Sequence, residues 1–295
     1  MTLVVGCATP DIGFLVADTL LSFAFDLKGR VTPVKGESHA LKIQILSPAV
    51  AVAFAGDVGT SLDFIDALQE KLLANLKIDP CEQLFATYSA LATTASAQDC
   101  EFLVLQSTAD GKKLARITSD GVQNCARAFI GDAAEYNSMR QLQSPYSGPT
   151  MQQIQQQDGT FHTIPFGPTE GEKEFSVVSD AMEALTHRRT SKVVGAIAGC
   201  VTRVVNARIS GRLEYMQSVE ASLTPWEDKS GFSLLTSNSE KRGIGIYYRS
   251  GRMGLLFVVG DREACHKERA ETMSQFVEVA RVKHGLNLVG GSWEE

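Results

Sequence analysis

A chain of 295 residues that is 44% hydrophobic and 21% charged can bury a substantial core, and disorder in bulk is excluded. Its 28 basic and 34 acidic residues leave a net charge of −6, which gives no support for a nucleic-acid surface. Six scattered cysteines (Cys7, Cys81, Cys100, Cys125, Cys200, Cys265) form no CxxC pair. Neither a zinc site nor a disulfide framework is expected, and they read as reduced, mostly buried thiols.

Residues 2–56 set the pattern. TLVVGCAT, a Pro-Asp turn, IGFLVADT, a polar loop, LKIQIL, the turn SPAV and VAVAFAG are short, β-branched runs bounded by turn formers. They predict four strands as two successive hairpins. From Asp57 the period lengthens: Leu62, Ile65, Leu68, Leu72, Leu73 and Leu76 recur at three and four residues, a helix that Asp57 or Thr60 can cap and Asp79-Pro80 ends. A second helix is expected over CEQLFATYSALATTAS, followed by the strands CEFLVLQS, KLARITSD and VQNCARAFIG, with a hairpin signal at Asp110-Gly111. DAAEYNSMRQL then predicts a helix starting directly at the end of the last strand.

Residues 144–173 hold four prolines and a Gln-rich run, and are expected to be an inserted loop or flap within one domain spanning 1–295. EFSVVSDAMEALTHRR is helical in pattern, VVGAIAGCVTRVVNARI fits strand or helix equally, and RLEYMQSVEASL alternates as a strand. IGIYYRSGRMGLLFVVG predicts a hairpin turned at Ser250-Gly251, and residues 261–285 a polar helix ending at Gly285. The order fits an α+β fold, a four-layer α-β-β-α sandwich of two antiparallel sheets, although composition does not single it out among α+β arrangements. His39, His162, His187, His266 and His284 lack ligand-like spacing, so no metal and no cofactor is expected. Arg188, Arg189 and Lys192 read as a solvated helix end. No basic segment followed by an apolar run opens the chain and no 18-residue apolar stretch occurs, so a cytoplasmic protein without membrane contact is expected.

Certain residues stand at the strand ends: Thr2 after Met1, Asp18 closing the second strand, Lys42 opening the third, Gly56 closing the fourth. With Thr2-Leu-Val-Val-Gly6, Val16-Ala-Asp18-Thr19, Lys42-Ile43 and Ala53-Phe-Ala-Gly56-Asp57, the segment resembles the proteasome β-subunit group of N-terminal-nucleophile (Ntn) hydrolases. The separations Thr2 to Asp18 and Lys42 to Gly56 are similar to the family's, while the extra residues between Asp18 and Lys42 fall in the loop 23–40. Phe129-Ile130-Gly131-Asp132, leading into a helix, resembles the family's strand–glycine–helix step. The resemblance is fullest over 2–57, extends to about 143 and fades beyond, where the C-terminal half carries insertions.

What the resemblance implies is a threonine-nucleophile amide hydrolase, a proteasome-like endopeptidase in a homo-oligomeric ring with peptide or amide substrates; an unfoldase partner is left open. Met1 would be removed, and the freed α-amine of Thr2, with a pKa near ~8, would take the hydroxyl proton. Lys42 would favour the developing alkoxide, Asp18 would hold Lys42 charged and aimed, and the Gly56 N–H would face the oxyanion. Thr2→Ala and Lys42→Ala are each expected to abolish turnover with the fold intact.

Two departures bear on this. Leu20 and Leu21 stand where active members commonly show a polar or basic residue, and Gly131-Asp132-Ala133 replaces a Gly-Ser-Gly-like step. Asp132 would either support the α-amine or hold it protonated. Asp180 and Ser191 match the family's later active-site Asp and Ser by position only. With Phe54 as floor and Leu20 and Leu21 as an apolar wall, the expected side-chain pocket takes small or medium apolar residues. An amide hydrolase for a small metabolite shares the same site, and a catalytically inactive structural or regulatory subunit is the alternative.

Overall fold

The computed structural model describes residues 2–21, 24–25, 31–32, 38–75, 78–91, 98–108, 111–148, 151–155, 161–165, 168–186, 201–206, 211–216, 218–221, 231–249, 251–261, 263 and 265–289. It is a mixed α+β chain whose described sheets are antiparallel. Strands β1 (Leu3–Ala8) and β2 (Gly13–Asp18) form the first expected hairpin, with Val5 opposite Val16. The Thr9 N–H donates to the Ile12 carbonyl at 2.8 Å and closes its Pro10-Asp11 turn. The polar loop that follows contains two small ladders, β3 (Leu20–Leu21) with β6 (Ser38–His39) and β4 (Ala24–Phe25) with β5 (Val31–Thr32). The second hairpin is β7 (Ile43–Ser47) with β8 (Val50–Ala55).

These hairpins belong to different sheets. The second sheet runs β11-β10-β9-β8-β7, adding β9 (Glu101–Thr108), β10 (Gly111–Thr118) and β11 (Gly121–Cys125). The first runs β12-β1-β2-β15-β16, adding β12 (Arg127–Gly131), β15 (Val201–Asn206) and β16 (Leu213–Tyr215). VQNCARAFIG, expected as one strand, is therefore two: at Ala126 the chain leaves the second sheet and joins the first beside β1. The sequence does not reveal this step, because no Gly or Pro interrupts the run before Gly131 and only the pairing partners change.

Strand alternation sorts the side chains. Val4, Leu15 and Ala17 of the first sheet meet Ile43, Ala53 and Leu103 of the second in one buried cluster. On its other face the first sheet turns Leu3, Val5, Phe14 and Val16 toward Met139 and Met182, carried by α3 (Ala133–Leu142) and α4 (Glu170–Thr186). The second sheet turns Val52, Phe54 and Phe102 toward Phe64, Leu68 and Tyr88 of α1 (Val58–Ala74) and α2 (Pro80–Leu91). Asp57 caps α1 as expected, its Oδ1 accepting from the Thr60 N–H at 2.8 Å. Tyr215 ties the two sheets: its hydroxyl donates to the Ile43 carbonyl at 2.8 Å and accepts from the Ile45 N–H at 3.2 Å. Burial pushes that phenol's pKa up.

Three expectations change. Residues 144–173 are not a bare loop, since β13 (Met151–Gln155) and β14 (Phe161–Pro165) pair within them and α4 begins at Glu170. Backbone groups pair whatever side chains flank them, and the Gln-rich composition hid this hairpin. The second change is a third sheet, which joins β17 (Ser218–Ala221), β18 (Gly231–Ser237), β19 (Gly243–Tyr248), β20 (Met253–Val258) and β21 (His266–Arg269). Its Leu234, Ile246 and Phe257 belong to the same buried cluster as residues of the first two sheets, so the packing is continuous across all three. Last, the helix expected over 261–285 is β21 followed by α5 (Met273–His284); Thr272 caps α5 through Oγ1, which accepts from the Gln275 N–H at 3.1 Å. Among the described residues no helix is long and apolar enough to cross a membrane.

Phe102 is fully buried, with its ring edge-on to Phe64 at 5.9 Å and Tyr88 at 6.1 Å. Phe102→Ala should cost about 3–5 kcal/mol. Urea unfolding should show a lower midpoint at unchanged slope.

Candidate functional site

The ends of β2 and β12 meet the start of β1 at the Thr2-Leu3 peptide, and Lys42, just before β7, joins them through Asp18. Asp18, the last residue of β2, is fully buried, and each of its oxygens has a partner. Oδ2 accepts from Lys42 Nζ at 2.7 Å and Oδ1 from the Leu3 N–H at 2.9 Å. One carboxylate thus grips both the amine at the head of β7 and the peptide bond that follows Thr2. Lys42 is completely buried. Burial drives its ammonium pKa down, and the Asp18 carboxylate pulls it partway back up. A lysine with a lowered pKa, aimed by a carboxylate, is suited to handling a proton.

Thr2 itself is buried, at 6% exposure. Its carbonyl accepts from the Asp132 N–H at 2.8 Å, and Leu3 lies opposite Gly131. Gly131 has a φ of 93°, and a Cβ built there would stand 1.9 Å from the Thr2 carbonyl oxygen. Only glycine allows β12 to come this close. Gly56, at the end of β8, has a φ of 111°; a Cβ there would meet Asp99 O and Cys100 Cα at 3.0 Å. It is exposed, leaving its backbone open to an incoming group. Beside it lies a cavity of about 520 Å³ whose walls include Asp99, Cys100, Glu101 and Arg116.

Of the residues expected to act together, Asp18 and Lys42 are in contact with each other, and Asp18 and Asp132 each contact the Thr2-Leu3 segment. Asp132 does so through its backbone; its carboxylate Oδ1 caps α3, accepting from the Ala134 and Glu135 N–H groups at 2.8 and 2.9 Å. A helix start offers unpaired N–H groups that an aspartate accepts from, so this oxygen serves the helix. The expected place of Phe54 is corrected. At 1% exposure it lies in the filled core with Phe64, Phe102 and Tyr88 and gives no surface to an open pocket. Strand pairing is described for Leu20 and Leu21, but their side chains, like Met1 and Ser191, lie outside the described residues. Asp180 is exposed on α4, where the Ser176 hydroxyl donates to it at 3.4 Å.

Sequence reasoning missed three participants. The Leu3 N–H carries no sequence signal, being backbone. His39 is buried with Nδ1 2.8 Å from the Thr19 hydroxyl, and only its place before Lys42 hinted at the site. Glu101 heads β9, and its Oε2 accepts from the Gly131 N–H at 2.9 Å. A charged residue opening an apolar strand was the available cue. Among the described residues no cluster of three or more His, Cys, Asp or Glu side chains could hold a metal. Compared with known proteins, the chain matches no protein-family model and no curated sequence.

The burial of the ion pair changes the expected outcome at Lys42. Lys42→Ala leaves the Asp18 charge buried without its cation, and should cost about 3–5 kcal/mol. Denaturant unfolding of the variant should show this loss as a lower midpoint, so activity is to be read alongside stability.

Burial, with smaller contributions from the positive charges of Lys42 and Lys267, lowers the His39 pKa from 6.5 to about 4. The unfolded chain therefore binds the proton first as pH falls. The stabilisation held above pH 6.5 is lost progressively down to pH 4, in all on the order of 3 kcal/mol. Thermal unfolding followed between these limits should slope less steeply in His39→Gln than in the parent.

Proposed function

We propose that this chain is a threonine-nucleophile amide hydrolase of the N-terminal-nucleophile type, cutting peptide bonds. The observation that carries the reading is the Asp18 carboxylate, which accepts from both Lys42 Nζ and the Leu3 N–H. Two further features support it. Each of the first two sheets faces the other on one side and a helix pair on the other, as in a four-layer α-β-β-α sandwich. Gly56, exposed at the end of β8 and without a side chain, is the backbone donor in this reading.

In this reading Met1 is removed and the freed α-amine of Thr2 accepts the hydroxyl proton as the oxygen attacks the scissile carbonyl. Lys42, held by Asp18, favours the negative oxygen electrostatically. The Gly56 N–H donates to the oxyanion of the tetrahedral intermediate, a contact of a kind that accounts for ~3 kcal/mol of transition-state stabilisation. The amine then protonates the leaving nitrogen, and water releases the acyl group by the reverse proton path. Peptide substrates, assembly into a homo-oligomeric ring and a place in the cytoplasm belong to the same proposal.

A second reading, a structural subunit without catalysis, draws on the burial of Thr2 and Lys42 and the filled space around Phe54. One experiment separates the two. Intact mass of protein from native cells should show Met1 removed, and a panel of short peptide amides should be hydrolysed. Thr2→Ala should reduce kcat about a thousandfold or more while circular dichroism stays unchanged. Met1-retained protein that hydrolyses none of the panel would reject the hydrolase in favour of the subunit.

A further inference from the structure

We propose that Glu101 is a positioning residue for Thr2, acting through Gly131 and reaching the site from the opposite sheet. The inference rests on the hydrolase reading above for its effect on turnover, but not for its geometry.

β12 is the edge strand of the first sheet, with β1 on its inner side. N–H groups of successive residues in an extended strand point to opposite sides. The Asp132 N–H points inward, to the Thr2 carbonyl at 2.8 Å. The Gly131 N–H therefore points outward, where an edge strand has no strand partner. Glu101, the first residue of β9 in the second sheet, fills that place: its Oε2 accepts from Gly131 at 2.9 Å. Its other oxygen, Oε1, is paired with Arg116 of β10, which fixes the carboxylate's orientation.

The consequence for Thr2 follows from the close approach at Gly131. The Gly131 Cα lies directly against the Thr2 carbonyl, since a Cβ there would stand only 1.9 Å from its oxygen. Any drift of this glycine moves the carbonyl or breaks the adjoining Asp132–Thr2 bond. Asp18 fixes the Leu3 side of the Thr2-Leu3 peptide bond, and Glu101, through β12, fixes the carbonyl side. Neither oxygen of Glu101 is offered to Thr2 itself, so its part is to hold the nucleophile still. Misplacement of a reacting group by about 1 Å costs up to about 100-fold in rate.

The test compares the parent, Glu101→Ala and Glu101→Gln in the full chain. Two readouts are taken: kcat and KM on short peptide amides, and hydrogen exchange at the Gly131 and Asp132 amides. Glu101→Ala should lower kcat by about 10- to 100-fold with KM within about threefold, and speed exchange at both amides by about tenfold or more. Glu101→Gln keeps an oxygen for the Gly131 N–H and should retain slow exchange and kcat within about threefold of the parent. Unchanged exchange in Glu101→Ala would overturn the proposal, as would unchanged kcat in an active parent. If Glu101→Ala does not fold, loss of kcat in a Glu101→Gln variant whose exchange stays slow would overturn it, and retained kcat would support it. A parent with no turnover at all would reject the hydrolase, while the exchange comparison would still decide whether Glu101 holds Gly131 against Thr2.

Discussion

The buried ion pair between Asp18 and Lys42 is the constraint on which this end of the molecule depends. Asp18 closes a strand of the first sheet and Lys42 stands at the head of a strand of the second, so the pair joins the two sheets at their rim. Taking either charge out of water costs several kcal/mol, and attraction offsets this only when geometry is good and the remaining acceptors are filled. Here Lys42 Nζ lies 2.7 Å from one carboxylate oxygen and the Leu3 N–H satisfies the other. An apolar pair of similar volume would fill the space at less cost in desolvation. The charges gain a fixed direction for the amine instead, together with a fixed start for β1.

The rest of the site is built by strand ends rather than by any one motif. β12 arrives from the other sheet through the step at Ala126, bringing the Gly131 φ of 93° and the Asp132 N–H against Thr2. β8 ends just before Gly56, packed on Asp99 and Cys100, which with Glu101 of β9 line one cavity. At the opposite flank the Tyr215 hydroxyl bonds two backbone groups of β7, holding in register the strand whose head carries Lys42. The polar groups around Thr2 are therefore anchored from both sheets, which suits a centre that must not shift during a reaction.

Burial sets the chemistry of these groups more than charge does. The same exclusion of water that lowers the Lys42 pKa keeps His39 neutral through the ordinary range, and Lys42 adds to the second effect. A neutral His39 beside Thr19 adds no charge next to the buried Asp18–Lys42 pair. The third sheet contributes to the same core and shields it with Leu234, Ile246 and Phe257.

Sequence by itself determined the local elements and the chemical types at their ends. Short β-branched runs bounded by turn formers placed β1, β2, β7 and β8, period-3.6 runs placed α1 and α4, and the polar residues at strand ends singled out Asp18 and Lys42. Tertiary structure alone decided which strands became neighbours. VQNCARAFIG reads as one strand because no Gly or Pro interrupts it before Gly131, yet its halves pair with different sheets, and local composition carries no information about partners. Phe54 was assigned to a pocket by its distance from Gly56 along the strand, but α1 and α2 close over that face. Glu101 and the Leu3 N–H were out of reach for a related reason: one meets Gly131 across 30 positions of chain, and the other is a backbone donor that every non-proline residue shares.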